Sequence, residues 1–283
     1  MTGTLVLGGG GIAGIAWTTG LLAGMADAGL DVTGFDEIIG TSAGATVAAQ
    51  LGSGLDLHAL FARQTEPDLQ AVEIAARVNL KTFATDIAAV LGEVDMHPLE
   101  RRRSLGRFAL DAETVAEKER RAVVESRLPS HAWPSLGPEL KIVAVNANSG
   151  EPRVFEKGTG VGLVEAVAAS CAVPGMWPPV TINGSRYVDG AVRSNTSADC
   201  AVGASKVLVV APLGNTELFP VEKTLDEAIE DLCVSGARVA LVTPDAVSTA
   251  AIGNNPADPS TRKPAAEAGR MQGRNLKIEW SGT

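Results

Sequence analysis

Cysteine and histidine are both scarce, with three of each in 283 residues. Cys171, Cys200 and Cys233 form an odd set without the short spacing of metal ligands. They read as small buried thiols of a reducing compartment. His58, His97 and His131 are scattered and match no zinc motif. Positive charge is short as well: 24 Lys and Arg stand against 33 Asp and Glu, a net charge of −9. A chain that neutralises phosphate backbones needs the opposite balance, so nucleic acid is not an expected partner. The same balance gives no general attraction to anionic membranes, so lipid contact would need a local apolar patch. No run approaches the roughly 18 unbroken apolar residues of a membrane-spanning helix. The start of the chain has no basic segment, apolar core or cleavage site of a signal peptide, and a cytoplasmic protein is the expectation. Internal repeats and low-complexity tracts are absent.

What is present is an ordinary globular composition, 45% apolar and 20% charged, long enough for one large domain or two small ones. Thr4 to Leu7 is a short apolar run stopped by four glycines, a buried strand ending at a tight turn. From Ile12 to Leu30 apolar residues recur at helical spacing. Phe35 to Ile39 gives a second strand, and Ala45 to Leu51 a helix of small residues. Strand, helix, strand, helix predicts a parallel sheet with helices on its faces. Residues 55 to 136 lack strands and carry amphipathic stretches, such as Asp86 to Leu91 and Ala112 to Leu128, which predicts a helical insertion over the sheet. Lys141 to Val145 resumes the sheet. Further strands are expected at Arg153 to Phe155, Arg186 to Val188, Lys206 to Ala211 and Val239 to Val242, and a helix at Val161 to Ala172. The expected architecture is a three-layer α/β sandwich over residues 1–245. A tail, 246–283, would carry one short helix near Pro264 to Gln272.

Two motifs carry chemistry. Gly9-Gly10-Gly11-Ile12-Ala13-Gly14 fits G-x-G-x-x-G between a strand and a helix. Glycines let backbone N–H groups approach a negative centre, and the helix N-terminus adds partial positive charge. A dinucleotide pyrophosphate would use that arrangement, and so would the oxyanion of a tetrahedral intermediate. A dinucleotide domain wants an acidic residue at the C-terminal end of its second strand. Here Asp36 and Glu37 lie at the beginning, and the end is Gly40-Thr41-Ser42. The second motif is Gly40-Thr41-Ser42-Ala43-Gly44, a strand-to-helix turn of the nucleophile-elbow type, which places a serine at the C-terminal edge of a sheet. Ser42 as an ordinary helix cap is the alternative. Both loops leave adjacent parallel strands at the same edge, so Gly10 and Gly11 would face Ser42.

A serine nucleophile needs a base. None of the three histidines follows a strand of the expected sheet, which strains a histidine triad. Asp189, before Gly190, reads on its own as a turn residue. Together, however, the glycine loop, the elbow, Ala169-Ser170-Cys171-Ala172-Val173-Pro174 with Pro178 or Pro179, and Asp189-Gly190-Ala191 with Asn195 resemble the ordered blocks of the patatin-like phospholipase family. The resemblance spans about Thr4 to Ala211. It implies a lipid acyl hydrolase with Ser42 as nucleophile, Asp189 as general base, and Gly9, Gly10 and Gly11 as oxyanion-hole donors, needing no metal or cofactor. The implied partner is a lipid or ester substrate, met at a membrane surface or in solution. An NAD- or FAD-type domain and a catalytically inactive binding protein of the same family are the rival readings. Two positions depart from the family pattern. Ala13 stands where Arg or Lys is usual, and Thr196 where proline commonly follows the asparagine. Without that cation, neutral esters should be cleaved at least as well as phospholipids. Arg101-Arg102-Arg103 with Arg107 reads as a solvated helix face, and Trp177 as core packing or an acyl-pocket wall. The insertion is a candidate lid without an evident hinge.

Overall fold

The computed structural model describes residues 2–30, 34–75, 80–92 and 96–282. Its strands are β1 (Gly3–Leu7), β2 (Glu37–Thr41), β3 (Glu139–Asn146), β4 (Pro152–Phe155), β5 (Val180–Ile182), β6 (Ser185–Asp189), β7 (Lys206–Val210) and β8 (Arg238–Val242). They form a single mixed sheet, ordered β5-β6-β3-β2-β1-β7-β8, with β4 also on β3. β3, β2, β1, β7 and β8 run parallel. β4, β5 and β6 are antiparallel to their neighbours. Buried valine and leucine runs such as Leu5-Val6-Leu7 and Val207-Leu208-Val209-Val210 explain the parallel centre. Both faces of such strands need cover.

That cover makes the fold three-layered. One face packs Leu5, Leu7, Ile142 and Leu208 against α1 (Gly11–Asp27), α2 (Ala43–Leu51) and α7 (Leu163–Ser170). The other sets Val6, Ile39, Val207 and Val209 against α8 (Leu225–Val234). α1 is buried without interruption from Ile12 to Met25, as expected of a helix apolar on all sides. Its outer face is covered by α10 (Arg262–Asn275), with α9 (Ala246–Ile252) beside it.

The stretch read as an insertion holds α3 (Leu57–Thr65), α4 (Leu80–Leu91), α5 (Pro98–Asp111) and α6 (Glu117–Arg127). The long helix expected over Ala112 to Leu128 starts only at Glu117, because Ala116 is extended and acts as its N-cap. α4 and α5 share a core with Val145 and Val188, at the end of β3 and β6. β5 and α8 are not among the elements expected from the sequence. β5 has three residues. α8 was signalled by a capping box, Thr224 with Glu227, ahead of Leu225, Ala228 and Leu232.

Register places the site. β3 pairs β2 up to Thr41 opposite Val143. It pairs β6 from Asp189 opposite Ala144. β4 overlaps both stretches of β3 and so takes its other edge. β2 and β6 therefore abut end to end along one edge of β3, with Thr41 and Asp189 opposite consecutive residues. Two segments remote in sequence meet because one strand is long enough to pair with both.

Candidate active site

Ser42 caps α2 with φ 54° and ψ −115°, a backbone conformation that costs a non-glycine residue energy. The flanking glycines allow the turn. A Cβ on Gly40 would stand 2.7 Å from Ala45 Cα, and one on Gly44 only 1.9 Å from the Leu7 carbonyl oxygen. The turn is braced from α7. Ser170 Oγ accepts the Ser42 N–H at 2.9 Å and donates to the Val143 carbonyl at 2.6 Å. The Cys171 thiol donates to the Ser42 carbonyl at 3.1 Å. These two residues belong to the fourth sequence block, and their bracing role was not legible without coordinates.

Asp189 ends β6 and is fully buried. Its Oδ1 accepts the Ala191 N–H at 2.8 Å, while buried Oδ2 has no completed hydrogen bond among the described residues. The carboxyl pKa is pushed up to about 7. Burial drives it upward, and the Ala191 N–H, the Ser42 side chain and the Arg120 charge pull it back. The Ser42 hydroxyl is thus within interaction range of the carboxyl without closing an aligned bond to Oδ2. Gly190 lets the chain turn here, since a Cβ would stand 2.5 Å from the Val143 carbonyl oxygen and 2.9 Å from Thr41 Cγ2.

The glycine loop lies against the elbow: a Cβ on Gly9 would stand 3.4 Å from Ser42 Cβ. Its three N–H groups are not equivalent. Gly9 donates to the Asn195 carbonyl at 2.8 Å. That leaves Gly10 and Gly11, at the N-terminus of α1, as the loop donors without a protein acceptor among the described residues. Asn195 is itself anchored, its N–H on Glu217 Oε2 at 3.0 Å and its side-chain amide on the Thr216 carbonyl at 2.7 Å. Ala13 donates its N–H to the Pro256 carbonyl at 2.9 Å, so the segment before α10 closes over the start of α1.

The remaining candidates lie elsewhere. His58 contacts Arg270 and Asp27, His97 caps α5, and His131 contacts the Glu125 carbonyl. Asp36 accepts the Gly3 N–H at 2.7 Å, at the opposite end of the sheet from the glycine loop. Arg102 and Arg103 are not a solvated face. Their Nε atoms donate to the Gly150 and Ser149 carbonyls at 2.7 and 3.0 Å, clamping the turn between β3 and β4. Trp177 is buried beneath the Arg120 guanidinium, 3.8 Å from its ring centre. Sequence reading passed over Arg120, because it sits in the insertion outside any motif. Among the described residues no helix is long and apolar enough to cross a membrane.

The sequence model of the patatin-like phospholipase family matches residues 5–202, most of the chain. No curated protein matches it in sequence. Among solved structures, VipD from Legionella pneumophila is similar at 14% identity and a TM-score of 0.48, covering 99% of this chain and 68% of VipD. The type III effector protein ExoU is similar at 16% identity and a TM-score of 0.38, covering 99% of this chain and 55% of ExoU. Full-length ExoU from Pseudomonas aeruginosa, in complex with SpcU, gives 16% identity and a TM-score of 0.37, and this chain spans 54% of its length. On the family match and the four ordered blocks, the chain belongs to the patatin-like phospholipase family, a family of lipid acyl hydrolases.

Proposed function

We propose that this protein is a serine hydrolase that cleaves carboxylic esters of lipids through Ser42 and Asp189. The observation that carries the reading is the meeting of Ser42, on a strained elbow, with a buried aspartate at the shared edge of β3. An ordinary carboxylate, near pKa 3.9, is too weak a base for a hydroxyl. A carboxyl pushed up to about 7 is a much better one and is still half ionised at neutral pH. Ser42 Oγ attacks the ester carbonyl carbon while its proton passes to Asp189. The carbonyl oxygen becomes an oxyanion and is held by the Gly10 and Gly11 N–H groups and the N-terminal end of α1. The intermediate collapses to an acyl-serine as the alcohol leaves with the proton from Asp189. Asp189 then takes a proton from water, which attacks the acyl carbon. A second oxyanion forms and collapses to release the fatty acid, and the proton returns to Ser42 Oγ.

Gly9 is not assigned to the oxyanion hole, because its N–H is already committed to Asn195. The dinucleotide reading lacks its ribose-binding acid, since Asp36 and Glu37 sit at the wrong end of β2. The test is hydrolysis of short-chain nitrophenyl esters by the wild type and by Ser42→Ala. Activity is expected to fall by about 10³-fold or more with the circular dichroism spectrum unchanged. Undiminished turnover in the variant would show that another group is the nucleophile. No turnover by the wild type on any ester would favour the binding-protein reading.

A further inference from the structure

Arg120 is buried, yet its Nε and Nη1 have no hydrogen-bond partner among the described residues. A guanidinium carries five donors and cannot discard its charge, so leaving it unpaired inside a protein is costly. The carboxylate nearest it is already taken. Glu73 is shared by three buried arginines. Arg127 binds it bidentately at 3.0 and 2.6 Å, Arg262 also hydrogen-bonds to it, and Arg120 Nη1 reaches it only at 4.0 Å. One carboxylate thus faces three guanidiniums, and Arg120 is the member left over. Its guanidinium carbon lies 3.8 Å from the centre of the Trp177 ring, and Trp177 closes the turn that braces both site residues. Its backbone N–H donates to the Val173 carbonyl at 2.9 Å, the neighbouring Ala172 carbonyl accepts the Asp189 N–H at 2.9 Å, and the Cys171 thiol donates to the Ser42 carbonyl at 3.1 Å. The glycine loop itself supplies no cationic side chain, since position 13 is alanine.

We propose that Arg120 is a specificity-determining residue of this active site, donating its unpaired N–H groups to a phosphate on the lipid ester being cleaved. The fork geometry of a guanidinium matches two oxygens of a phosphate, and the surplus charge of the Glu73 cluster favours an anion there. The cation missing from the first sequence block is supplied instead by α6, from the insertion. Substrates bearing a phosphate are then preferred over their neutral counterparts, the reverse of what Ala13 alone implies. This assignment rests on the Ser42–Asp189 reading for the identity of the scissile bond, but not for the binding of the anion.

The test compares 1-oleoyl lysophosphatidic acid with 1-oleoylglycerol, which present the same ester with and without the phosphate. In the wild type the ratio of kcat/KM values favours the phosphate. In Arg120→Gln that ratio falls by about 10- to 100-fold, whatever the change on the neutral ester. Arg120→Lys, which keeps the charge but not the fork, covers a glutamine variant that fails to fold; its ratio falls by about 3- to 10-fold. A folded variant whose ratio stays within about twofold of the wild type overturns the assignment, because a merely structural role would move both substrates together. Hexyl phosphate, which has no carboxylic ester, gives an arm free of turnover. On the Ser42→Ala background, its Kd should rise by about 10-fold or more with Arg120→Gln or Arg120→Lys. An unchanged Kd overturns the assignment even if Ser42 proves to be the nucleophile. A raised Kd upholds it even if Ser42 does not.

Discussion

At the scale of single residues, Asp189 is where the proposed mechanism and stability oppose each other. Burial raises its carboxyl from 3.8 to about 7. If the ionised form is the base, kcat/KM for a neutral ester should climb with pH and level off above about 7. A plateau already reached near pH 5 would show that the group titrating is not this carboxyl. The same shift makes a statement about folding. Below about pH 4 the carboxyl is protonated in both states, and the fold loses nothing. Between about 4 and 7 the unfolded chain ionises while the folded one does not, so stability declines through that window and is flat above it. Asp189→Asn removes this titration and keeps an acceptor for the Ala191 N–H. The variant should lose about 10²- to 10⁴-fold in activity. It should also be more stable than the wild type at pH 8 by about 1–3 kcal/mol, with little difference at pH 4. Urea titrations at the two pH values decide it, and an equal difference at both would place the cause elsewhere. Sequence alone singles out Ser42 by the elbow motif and Asp189 only through the resemblance to the family blocks, since on its own Asp189 reads as a turn residue. It could not reach the bond from Gly9 to Asn195, which is fixed by a loop far downstream. Nor could it reach Arg120, whose isolation depends on how Arg127 and Arg262 divide Glu73.

At the scale of elements, the strands and helices of the parallel half were legible because period and punctuation agreed: apolar runs, then glycine, then helical spacing. The antiparallel edge was less so, since β5 is too short to show a period. The closest helix pair was invisible to periodicity. α1 and α10 meet through glycines on both sides. A Cβ on Gly20 or Gly24 would stand 2.0 or 2.1 Å from the Ala266 or Arg270 carbonyl oxygen. On Gly269 or Gly273 it would stand 2.3 or 2.2 Å from those of Trp17 or Leu21. A composition reading takes such glycines as weak points, because alanine is favoured in a helix interior by about 1 kcal/mol. Here the two effects have opposite signs, and the clash is with backbone that cannot rotate away. Gly24→Ala is therefore expected to destabilise by about 2 kcal/mol or more, measured from denaturant midpoints. A stabilised Gly24→Ala would mean that the helices separate readily.

At the scale of the whole molecule, the family match ends at residue 202, but the core does not end there. β1 lies between β2 and β7, so the strand carrying the glycine loop is paired on one side by residues 206–210. β8 then covers the edge of β7. Beyond β8, Trp17 in α1 donates its indole N–H to Gln272 of α10 at 3.1 Å, and Gln272 also accepts the Ser248 hydroxyl of α9 at 2.8 Å. Arg270 and Arg274 both bind Asp27 at the end of α1. Arg262, also from α10, is one of the three arginines on Glu73, so the last helix reaches the charge cluster beside the site. A tail dispensable for folding would make few such contacts. Residues 1–245 expressed alone would leave one side of α1, including fully buried Trp17 and Leu21, without cover. Exposing two large apolar side chains costs about 3–6 kcal/mol at roughly 1.5–3 kcal/mol each, a large share of the stability of an ordinary domain. The fragment should aggregate or bind a hydrophobic dye, lose amide protection along α1, and show no ester hydrolysis. Adding back a peptide spanning 246–283 should restore part of each property. A 1–245 fragment that is monomeric, protected along α1 and active on nitrophenyl esters would show that the first 245 residues form a self-sufficient domain.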